Sequence, residues 1–228
     1  GTHGLCPERL YRSAQERCMS RAITLQEGLS KLGLDLPQAT HEKLLAYLAL
    51  VRKWNKIYNL TAVRDEDKML THHLLDSLAV VPYVKDATAI LDVGSGAGLP
   101  GIPLALALPG TEVTLLDSNQ KKTTFLRQAK MQLALANVTV VCERVEKYQK
   151  KQLFNAITSR ALAELHEFVA LAGHLVKPGG QMIAMKGADP ASEIDRLNHK
   201  GGFVAAGVTK LHVPGLDAER HLVFLKAA

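Results

Sequence analysis

The chain has 228 residues, with 28 Lys plus Arg against 22 Asp plus Glu, so its formal net charge is +6. Apolar residues make up 47% and charged residues 22%, which is typical of a soluble globular protein of one large domain or of one domain with an appendage. This composition argues against intrinsic disorder, and no stretch approaches the roughly 20 consecutive apolar residues of a membrane-spanning helix.

The first third of the chain has helical periodicity. Apolar residues recur every three or four positions over residues 8–32, and Gly33 can end that helix. Thr40 can cap a second helix that ends near Tyr58. A third helix is predicted over residues 66–81. We therefore predict an N-terminal helical region over residues 1–85.

After residue 85, β-rich runs alternate with helix-length segments, a pattern typical of a parallel sheet covered on both faces. Only residues 214–220 separate the last two runs, too few for a helical crossover, so these runs should pair as an antiparallel hairpin. This order predicts an α/β fold over residues 86–228: the Rossmann-like, seven-stranded sheet of class I S-adenosylmethionine-dependent methyltransferases, with the N-terminal helices as a cap. The predicted strands are 89–93, 112–117, 138–142, 155–159, 181–186, 208–213 and 221–226, and the helices between them are 103–108, 121–136, 162–175 and 191–200.

A glycine-rich segment follows the first predicted strand. Gly94, Gly96 and Gly98 form G-x-G-x-G, not the G-x-G-x-x-G of pyrophosphate binding, at the edge where such sheets bind nucleotides. Asp92 at the strand end fits a ligand that carries an amino group and no phosphate. Asp117 ends the next strand, 19 residues after Gly98, and can accept hydrogen bonds from a ribose diol. Glycine clusters and capping aspartates have ordinary structural explanations when they occur separately, but their order here predicts an S-adenosylmethionine site.

The methyl acceptor is not indicated by a catalytic base. The fourth strand ends in Thr158-Ser159-Arg160-Ala161, without the Asn/Asp-Pro-Pro-aromatic sequence of methylases that modify exocyclic amines. Cys142 lacks the sequence context of a carbon-5 cytosine methylase nucleophile, and we expect it to be a small buried residue. No constellation of His and acidic residues predicts a metal site.

Two arginines follow predicted strands at the edge where ligands bind. Arg160 follows the fourth strand and Arg144 the third. Guanine N7 has a free lone pair and needs no base, and arginine can donate to O6 and N7. Because methylation leaves N7 cationic, contacts to O6 or to phosphate are the better assignment. The alternative is a surface ion pair, for example with Glu143 or Glu164.

Two segments, residues 52–59 and residues 121–130, are basic and contain no acidic residue. Both suit contact with a phosphate backbone. Trp54 could stack on a base, but a lone tryptophan on an amphipathic helix is more often part of the core. His73 lies on the apolar stripe of the third helix and is expected to be structural, whereas His72 and Asp76 share another face. The candidate RNA-binding residues in these segments are Lys53, Lys56, Lys121, Lys122 and Arg127.

Several of these segments together resemble the RsmG (GidB) family, bacterial 16S rRNA guanine-N7 methyltransferases. The resemblance covers about residues 23–227, and the glycine motif that continues through Leu99-Pro100-Gly101 is its most specific part. The other matching segments are Lys53-Trp54-Asn55-Lys56, Tyr58-Asn59-Leu60-Thr61, His73-Leu74-Leu75-Asp76-Ser77, Asp117-Ser118, Ser159-Arg160-Ala161 and Lys186-Gly187.

The resemblance implies methylation of the guanine at position 527 of 16S rRNA in the small ribosomal subunit, with S-adenosylhomocysteine as the second product. It implies cofactor contacts at Gly94, Leu99, Val145, Glu146 and Arg160. Arg160, Arg144, Asn59 and His73 match family positions that face cofactor or RNA, and they are the candidate catalytic residues. Lys186 matches a further such position and is a candidate for RNA binding.

Two other functions remain open: a small-molecule methyltransferase, which predicts an enclosed pocket with an apolar lid, and an RNA-binding ribosome-assembly factor that has lost catalysis. We expect a cytoplasmic monomer without metal or membrane attachment, because the N-terminal residues have no apolar signal-peptide core and nothing indicates an obligate dimer. The three cysteines, Cys6, Cys18 and Cys142, are too few for a disulfide framework and suit a reducing compartment.

Overall fold

The computed structural model describes residues 7–149, 152–160, 164–197 and 201–228, with side chains from residue 12 onward. Cys6 and Ala161, both cited above, lie outside these residues. The first part of the chain is helical, as predicted. Its elements are α1 (Pro7–Lys31), α2 (Gln38–Tyr58), α3 (Glu66–Met69), a π-helical segment (Leu70–Leu75), α4 (Asp76–Leu78) and α5 (Val81–Val84).

The helix ends follow local backbone chemistry. Gly33 has a φ of +70° just after α1, and Asn59 ends α2 with a left-handed φ of 48°. The predicted cap at Thr40 is wrong, because α2 begins two residues earlier, after Pro37, without a side-chain cap. Asp65 caps α3 by accepting hydrogen bonds from two backbone N–H groups of that helix.

The third predicted helix is interrupted, so the prediction of one continuous helix over residues 66–81 is wrong. A π-helical turn holds more residues than an α-helical turn, and it therefore rotates the side chains that follow it. His73, within this segment, and Asp76, just after it, are both buried. His72 and Asp76 were expected to share a face of this helix, but their side chains are not hydrogen-bonded to each other. His72 Nδ1 lies instead 3.0 Å from the carbonyl oxygen of Lys68.

The rest of the chain forms one seven-stranded sheet with the strand order β3-β2-β1-β4-β5-β7-β6. The first five strands are parallel, and β7 lies antiparallel between β5 and β6. The predicted fold and its terminal hairpin are therefore confirmed. The elements are β1 (Ala89–Val93), α6 (Gly101–Ala107), β2 (Glu112–Asp117), α7 (Gln120–Gln132), β3 (Val138–Cys142), β4 (Phe154–Ser159), α8 (Leu165–Ala172), a 3₁₀ turn (Gly173–Leu175), β5 (Val176–Lys186), α9 (Ala191–Leu197), β6 (Phe203–Leu211) and β7 (Arg220–Ala227).

Strand β5 begins five residues before its predicted start. The turn-forming residues Pro178, Gly179 and Gly180 lie inside the strand, where the register against β4 shifts. A Cβ at Gly180 would lie 2.8–3.0 Å from three backbone oxygens of β4 and β5, so this position requires a glycine. The start of the predicted helix at 162 and the end of the one at 200 lie outside the described residues.

Two apolar clusters cover the two faces of the sheet. Consecutive residues of β1 alternate between them, with Ile90 in one and Leu91 in the other. The cluster around Ile90 also contains Leu44 and Leu48 of α2 and Leu74 of the π-helical segment. The N-terminal helices therefore share their core with one face of the sheet, although the predicted boundary at residue 85 does lie between α5 and β1.

Candidate active site

The segment between β1 and α6 forms an open loop at the carboxyl edge of the sheet. Gly94, Gly96 and Gly98 have φ values of +66°, +58° and +92°, which glycine adopts without strain. A Cβ at Gly94 would have no heavy atom within 4 Å, so its backbone faces open space. A Cβ at Gly98 would lie 2.5 Å from Cδ1 of Ile102, so that glycine is needed for packing. Leu99 is buried and donates its backbone N–H to Ser95 O at 3.1 Å.

Asp92 lies beneath this loop. Its Oδ2 accepts hydrogen bonds from Ser95 Oγ at 2.7 Å and from the Gly101 backbone N–H at 2.9 Å, and its Oδ1 accepts one from Thr158 Oγ1 at 3.3 Å. Burial raises the pKa of this carboxyl group to about 7, against the lowering effect of these hydrogen bonds. Because the side chain is fully buried, we interpret Asp92 as a residue that shapes the loop from below.

Asp117, at the end of β2, holds the loop from the side. Its two oxygens accept hydrogen bonds from the backbone N–H groups of Gly96 at 2.9 Å and Asn119 at 2.8 Å. Next to it is a cavity of about 210 Å³ that brings four predicted cofactor residues together: Gly94, Asp117, Val145 and Glu146. The complete lining is Val93, Gly94, Leu116, Asp117, Ser118, Glu143, Arg144, Val145, Glu146 and Leu171.

The chemistry of this lining suits a nucleoside better than a nucleotide. Three carboxylates line the cavity, those of Asp117, Glu143 and Glu146, and they disfavour phosphate. The one guanidinium, of Arg144, lies 3.4 Å from Glu146 Oε1. Carboxylate oxygens can accept hydrogen bonds from ribose hydroxyl groups, and the open backbone at Gly94 lets a ligand approach closely. The residues present therefore fit the adenosine part of S-adenosylmethionine.

Arg160 follows β4 and forms the centre of a second group of side chains. Its Nη1 and Nη2 lie 3.3 and 3.2 Å from Nδ1 of His73, and Nη2 donates to the carbonyl oxygen of His72 at 3.1 Å. On the other side of the ring, His73 Nε2 lies 2.8 Å from Thr61 Oγ1. An arginine can only donate, so His73 Nδ1 must accept, and the ring carries its proton on Nε2.

Electrostatics agree with this neutral form of His73. Burial, and then the charge of Arg160, lower the pKa of His73 to about 4. His73 is buried and belongs to the same group as Arg160, so a structural role and a position beside the site are compatible. The ring orients the guanidinium, and its Nδ1 lone pair is not available for proton transfer.

Three residues that were not predicted as site residues support this arrangement. Asp76 is 1% exposed and lies between two guanidinium groups: its Oδ2 is 3.7 Å from Arg160 Nε, and its Oδ1 accepts a hydrogen bond from Arg220 Nε at 3.1 Å. Tyr47 Oη donates to the carbonyl oxygen of Ala97 in the glycine loop at 2.6 Å. The sequence offers a signal for Tyr47 and Asp76, since both are polar groups among buried apolar positions, but none for Arg220.

Asn59, Arg144 and Cys142 are exposed. Asn59 is exposed at the end of α2, and Arg144 is exposed on the cavity wall. Neither of them joins the hydrogen bonds around Arg160 among the residues that the structure describes. Cys142 is exposed at the end of β3, so the expectation that it is buried is wrong.

The two basic segments lie on helices that pack together. The ring centroids of Trp54 on α2 and Phe125 on α7 are 6.1 Å apart, and Trp54 is half-buried against the core. The charged side chains flank this contact: Lys53, Lys56, Lys121 and Arg127 are exposed, and Lys122 is half-buried. Lys186 is placed differently, because it forms an ion pair of 2.9 Å with Glu193 of α9.

Comparison with known proteins gives the family. Residues 40–223 match the family model described as rRNA small subunit methyltransferase G. The chain belongs to this family. It is 52% identical over 208 residues to Ribosomal RNA small subunit methyltransferase G of Neisseria meningitidis serogroup C, an alignment that covers 91% of this chain and 99% of that protein. The homologue from Chromobacterium violaceum is 55% identical over 199 residues, covering 87% and 94% of the two chains.

More distant structures share only the fold. The ribosomal protein L11 methylase of Lactobacillus delbrueckii superposes with a TM-score of 0.54 at 15% identity, over 67% of this chain and 76% of that chain. The glycopeptide N-methyltransferase MtfA, in complex with S-adenosylmethionine, has a TM-score of 0.55 at 13% identity, over 67% and 87%. The family model and the two homologues, rather than these structures, confirm the resemblance to the methyltransferase G family that the motifs indicated.

Two kinds of feature are absent from the described residues. None of their helices is long and apolar enough to cross a membrane. Nor do three or more His, Cys, Asp or Glu side chains in this part of the chain come together as metal ligands would.

Proposed function

We propose that this member of the methyltransferase G family transfers the methyl group of S-adenosylmethionine to N7 of a guanine in 16S rRNA, at position 527 in the small subunit. The observation that carries the proposal is the position of Arg160 relative to the glycine loop. Asp92 pairs with Thr158 across the parallel strands β1 and β4, so Gly94 and Arg160 each lie two residues beyond this pair, after the carboxyl ends of neighbouring strands. A cofactor on the loop would thus lie at the same edge of the sheet as the guanidinium group.

The proposed cofactor site is the cavity beside Gly94 and Asp117. When bound, S-adenosylmethionine supplies a methyl group activated by the sulfonium centre. Asp117 would accept hydrogen bonds from the ribose, while Val145 and Glu146 would contact the adenosine. Leu99 and the backbone of Gly96 keep the loop in shape. The charged Arg160 is the predicted residue that would contact both cofactor and acceptor.

The proposed acceptor chemistry needs placement rather than a base. N7 of guanine attacks with its own lone pair and loses no proton, and in-line alignment supplies most of the acceleration. His73 is neutral, and its Nδ1 faces Arg160, so it serves as a support for the guanidinium group. Arg160 has donors for O6 of the guanine or for a neighbouring phosphate. Asn59, Arg144 and Lys186 remain candidates for RNA contact at the margin of the site.

The proposed RNA surface is formed by α2 and α7. The side chains of Lys53, Lys56, Lys121 and Arg127 are exposed on two helices that are packed together, and exposed positive charge of this kind suits contact with phosphate groups. An enzyme for a small neutral substrate does not need these charges for binding. This favours the rRNA over the small-molecule alternative.

The test is to map N7-methylguanine in 16S rRNA. A bacterial strain that lacks its own methyltransferase G would be complemented with the wild-type chain, with Arg160→Met or with an empty vector. We expect complete borohydride–aniline cleavage at position 527 with the wild type, partial cleavage with Arg160→Met and none with the empty vector. Cleavage that is equal for wild type and empty vector would overturn the proposal. Normal subunit assembly without methylation would instead favour the assembly factor.

A further inference from the structure

Asp76 connects two parts of the chain that are far apart in sequence. It is the first residue of α4, Arg160 follows β4, and Arg220 is the first residue of β7 in the terminal hairpin. The Asp76 carboxylate is 1% exposed, whereas the side chains of Arg160 and Arg220 are 26% and 22% exposed. The carboxylate therefore lies below two guanidinium groups that reach the surface.

The two arginines do not share the carboxylate equally. Arg220 Nε makes a hydrogen bond of 3.1 Å to Oδ1, while Arg160 Nε lies 3.7 Å from Oδ2, beyond hydrogen-bond distance. The Nη atoms of Arg160 are instead directed to His73 and to the carbonyl oxygen of His72. Arg160 is thus held between an ionic contact longer than a hydrogen bond and a set of uncharged acceptors.

The charge balance explains why a second arginine matters here. A buried carboxylate with a single cationic neighbour attracts it strongly, because little water screens the pair. Without Arg220, the Asp76 carboxylate would have Arg160 as its remaining cationic partner among the contacts described. The guanidinium group would then move toward Asp76 and away from His73.

We propose that Asp76 and Arg220 are positioning residues. Arg220 satisfies the Asp76 carboxylate, so that Arg160 stays directed toward His73 and the carbonyl oxygen of His72. For methyl transfer, this inference rests on the proposed function, because it assigns Arg220 a role in that reaction through Arg160. The juxtaposition itself is independent of the substrate. It also makes the terminal hairpin part of the site, although Arg220 follows Arg160 by 60 residues.

The first experiment does not require activity. NMR titration of His73 in the wild type, Arg220→Met, Arg160→Met and the double variant measures whether Arg160 has moved. The Arg160 charge contributes to the low pKa of His73, so withdrawal of Arg160 in Arg220→Met should raise that pKa toward 6.5. In the Arg160→Met background, Arg220→Met should cause no further shift. An unchanged His73 pKa in Arg220→Met would overturn the inference.

The second experiment measures methyl transfer to 16S rRNA by the same four proteins. We expect Arg220→Met to lower kcat up to about hundredfold, with the affinity for S-adenosylmethionine unchanged within twofold by calorimetry, since misplacing a positioned group by about 1 Å can cost that much. In the Arg160→Met background the additional loss should be less than about twofold, because residues that act as a unit are not additive. Equal losses in both backgrounds would mean that Arg220 acts independently of Arg160, which would overturn the inference.

Controls separate positioning from folding and from the proposed function. Lys210→Met removes an exposed ion pair with Glu219 in the same hairpin. This variant should change neither the pKa of His73 nor kcat. If Arg220→Met does not fold, Arg220→Lys keeps the charge and should give smaller changes of the same kind, again only when Arg160 is present. The variants could show the expected Arg160-dependent shifts of the His73 pKa while the wild type does not methylate rRNA. That result would support the positioning role of Asp76 and Arg220 and refute the proposed function.

Discussion

The hydroxyl group of Tyr47, on α2, donates a hydrogen bond of 2.6 Å to the backbone oxygen of Ala97, in the loop that follows β1. Tyr47 is fully buried, and burial raises the pKa of its hydroxyl well above the ordinary value, so it stays a donor at any physiological pH. A helix of the N-terminal cap thus fixes the shape of the candidate cofactor loop 50 residues further along the chain.

Replacing Tyr47 with Phe should weaken both folding and cofactor binding. The Ala97 carbonyl oxygen would lose its partner inside the protein, at a cost of about 1–3 kcal/mol in the free energy of unfolding. We expect a several-fold weaker affinity for S-adenosylmethionine by calorimetry. Tyr58→Phe is the matched control, because Tyr58 is the last residue of α2 and its ring packs against Trp54, away from the loop residue Ala97. Equal affinity in both variants would contradict the role assigned to Tyr47.

Two glycines of the site should respond differently to substitution by alanine. A Cβ at Gly94 meets no heavy atom within 4 Å, so Gly94→Ala should fold at a cost of about 1–2 kcal/mol for its left-handed φ of +66°. The new methyl group would occupy the open space beside the cavity, so cofactor binding should fall at least tenfold. Calorimetry and urea unfolding of the purified variant would test both effects.

Gly101→Ala should act on stability instead. A Cβ there would overlap with Leu115 and would lie 2.7 Å from Asp92 Oδ2, the oxygen that accepts the Gly101 N–H. We expect a loss of several kcal/mol, or failure to fold, because both neighbours are buried. Gly110→Ala is a suitable control, since a Cβ at that position meets nothing within 4 Å. A Gly101→Ala protein as stable as this control would contradict the structure.

The neutral state of His73 predicts a loss of stability in acid. Its pKa is about 4 in the folded protein and near the ordinary 6.5 in the unfolded chain, so between these values only the unfolded chain binds the proton. Stability should therefore fall as the pH drops from about 6.5 to 4, by roughly 3 kcal/mol in total at about 1.4 kcal/mol per pH unit. Urea unfolding of wild type and His73→Gln between pH 7.5 and 4.5 would measure it. The two proteins would show parallel pH profiles if His73 did not contribute.

Asp92 should show the opposite pH dependence. Its pKa is raised to about 7, so between the ordinary value of 3.8 and about 7 the folded protein holds a proton that the unfolded chain has released. The contribution of this group to stability therefore falls as the pH rises through that window and is constant above it. Comparing the unfolding free energies of wild type and Asp92→Asn from pH 4.5 to 8 isolates the effect, which Asn should abolish.

Asp92→Asn also tests the role of the side chain in the loop. An asparagine Oδ1 can still accept from Ser95 and Gly101, and its amide can donate to Thr158. We expect cofactor affinity within a few-fold of wild type for Asp92→Asn and a much larger loss for Asp92→Ala. If Asn were as damaging as Ala, the negative charge of Asp92 would matter to the ligand directly.

The local order of residues was sufficient to predict the sheet. Alternation of apolar runs and helical segments gives the strands, and the short connection before β7 gives the hairpin. The ranges of β1, β2 and β3 agree residue by residue with the prediction. Two other boundaries were predicted wrongly. Strand β5 extends through Gly179 and Gly180, where its register against β4 shifts, and a π-helical segment that contains the buried His73 interrupts the third helix.

The candidate site divides in the same way. The glycine loop, the acid that ends β2, the arginine after β4 and the family could be read from the residues alone, because those signals are local or follow the strand ends of a known fold. The burial of Asp92 under the loop, the contact of Tyr47 with Ala97 and the pairing of Arg220 with Asp76 beneath Arg160 could not. The reason is physical: a buried hydrogen bond or ion pair depends on which groups the folded chain removes from water together, and no spacing along the sequence records that.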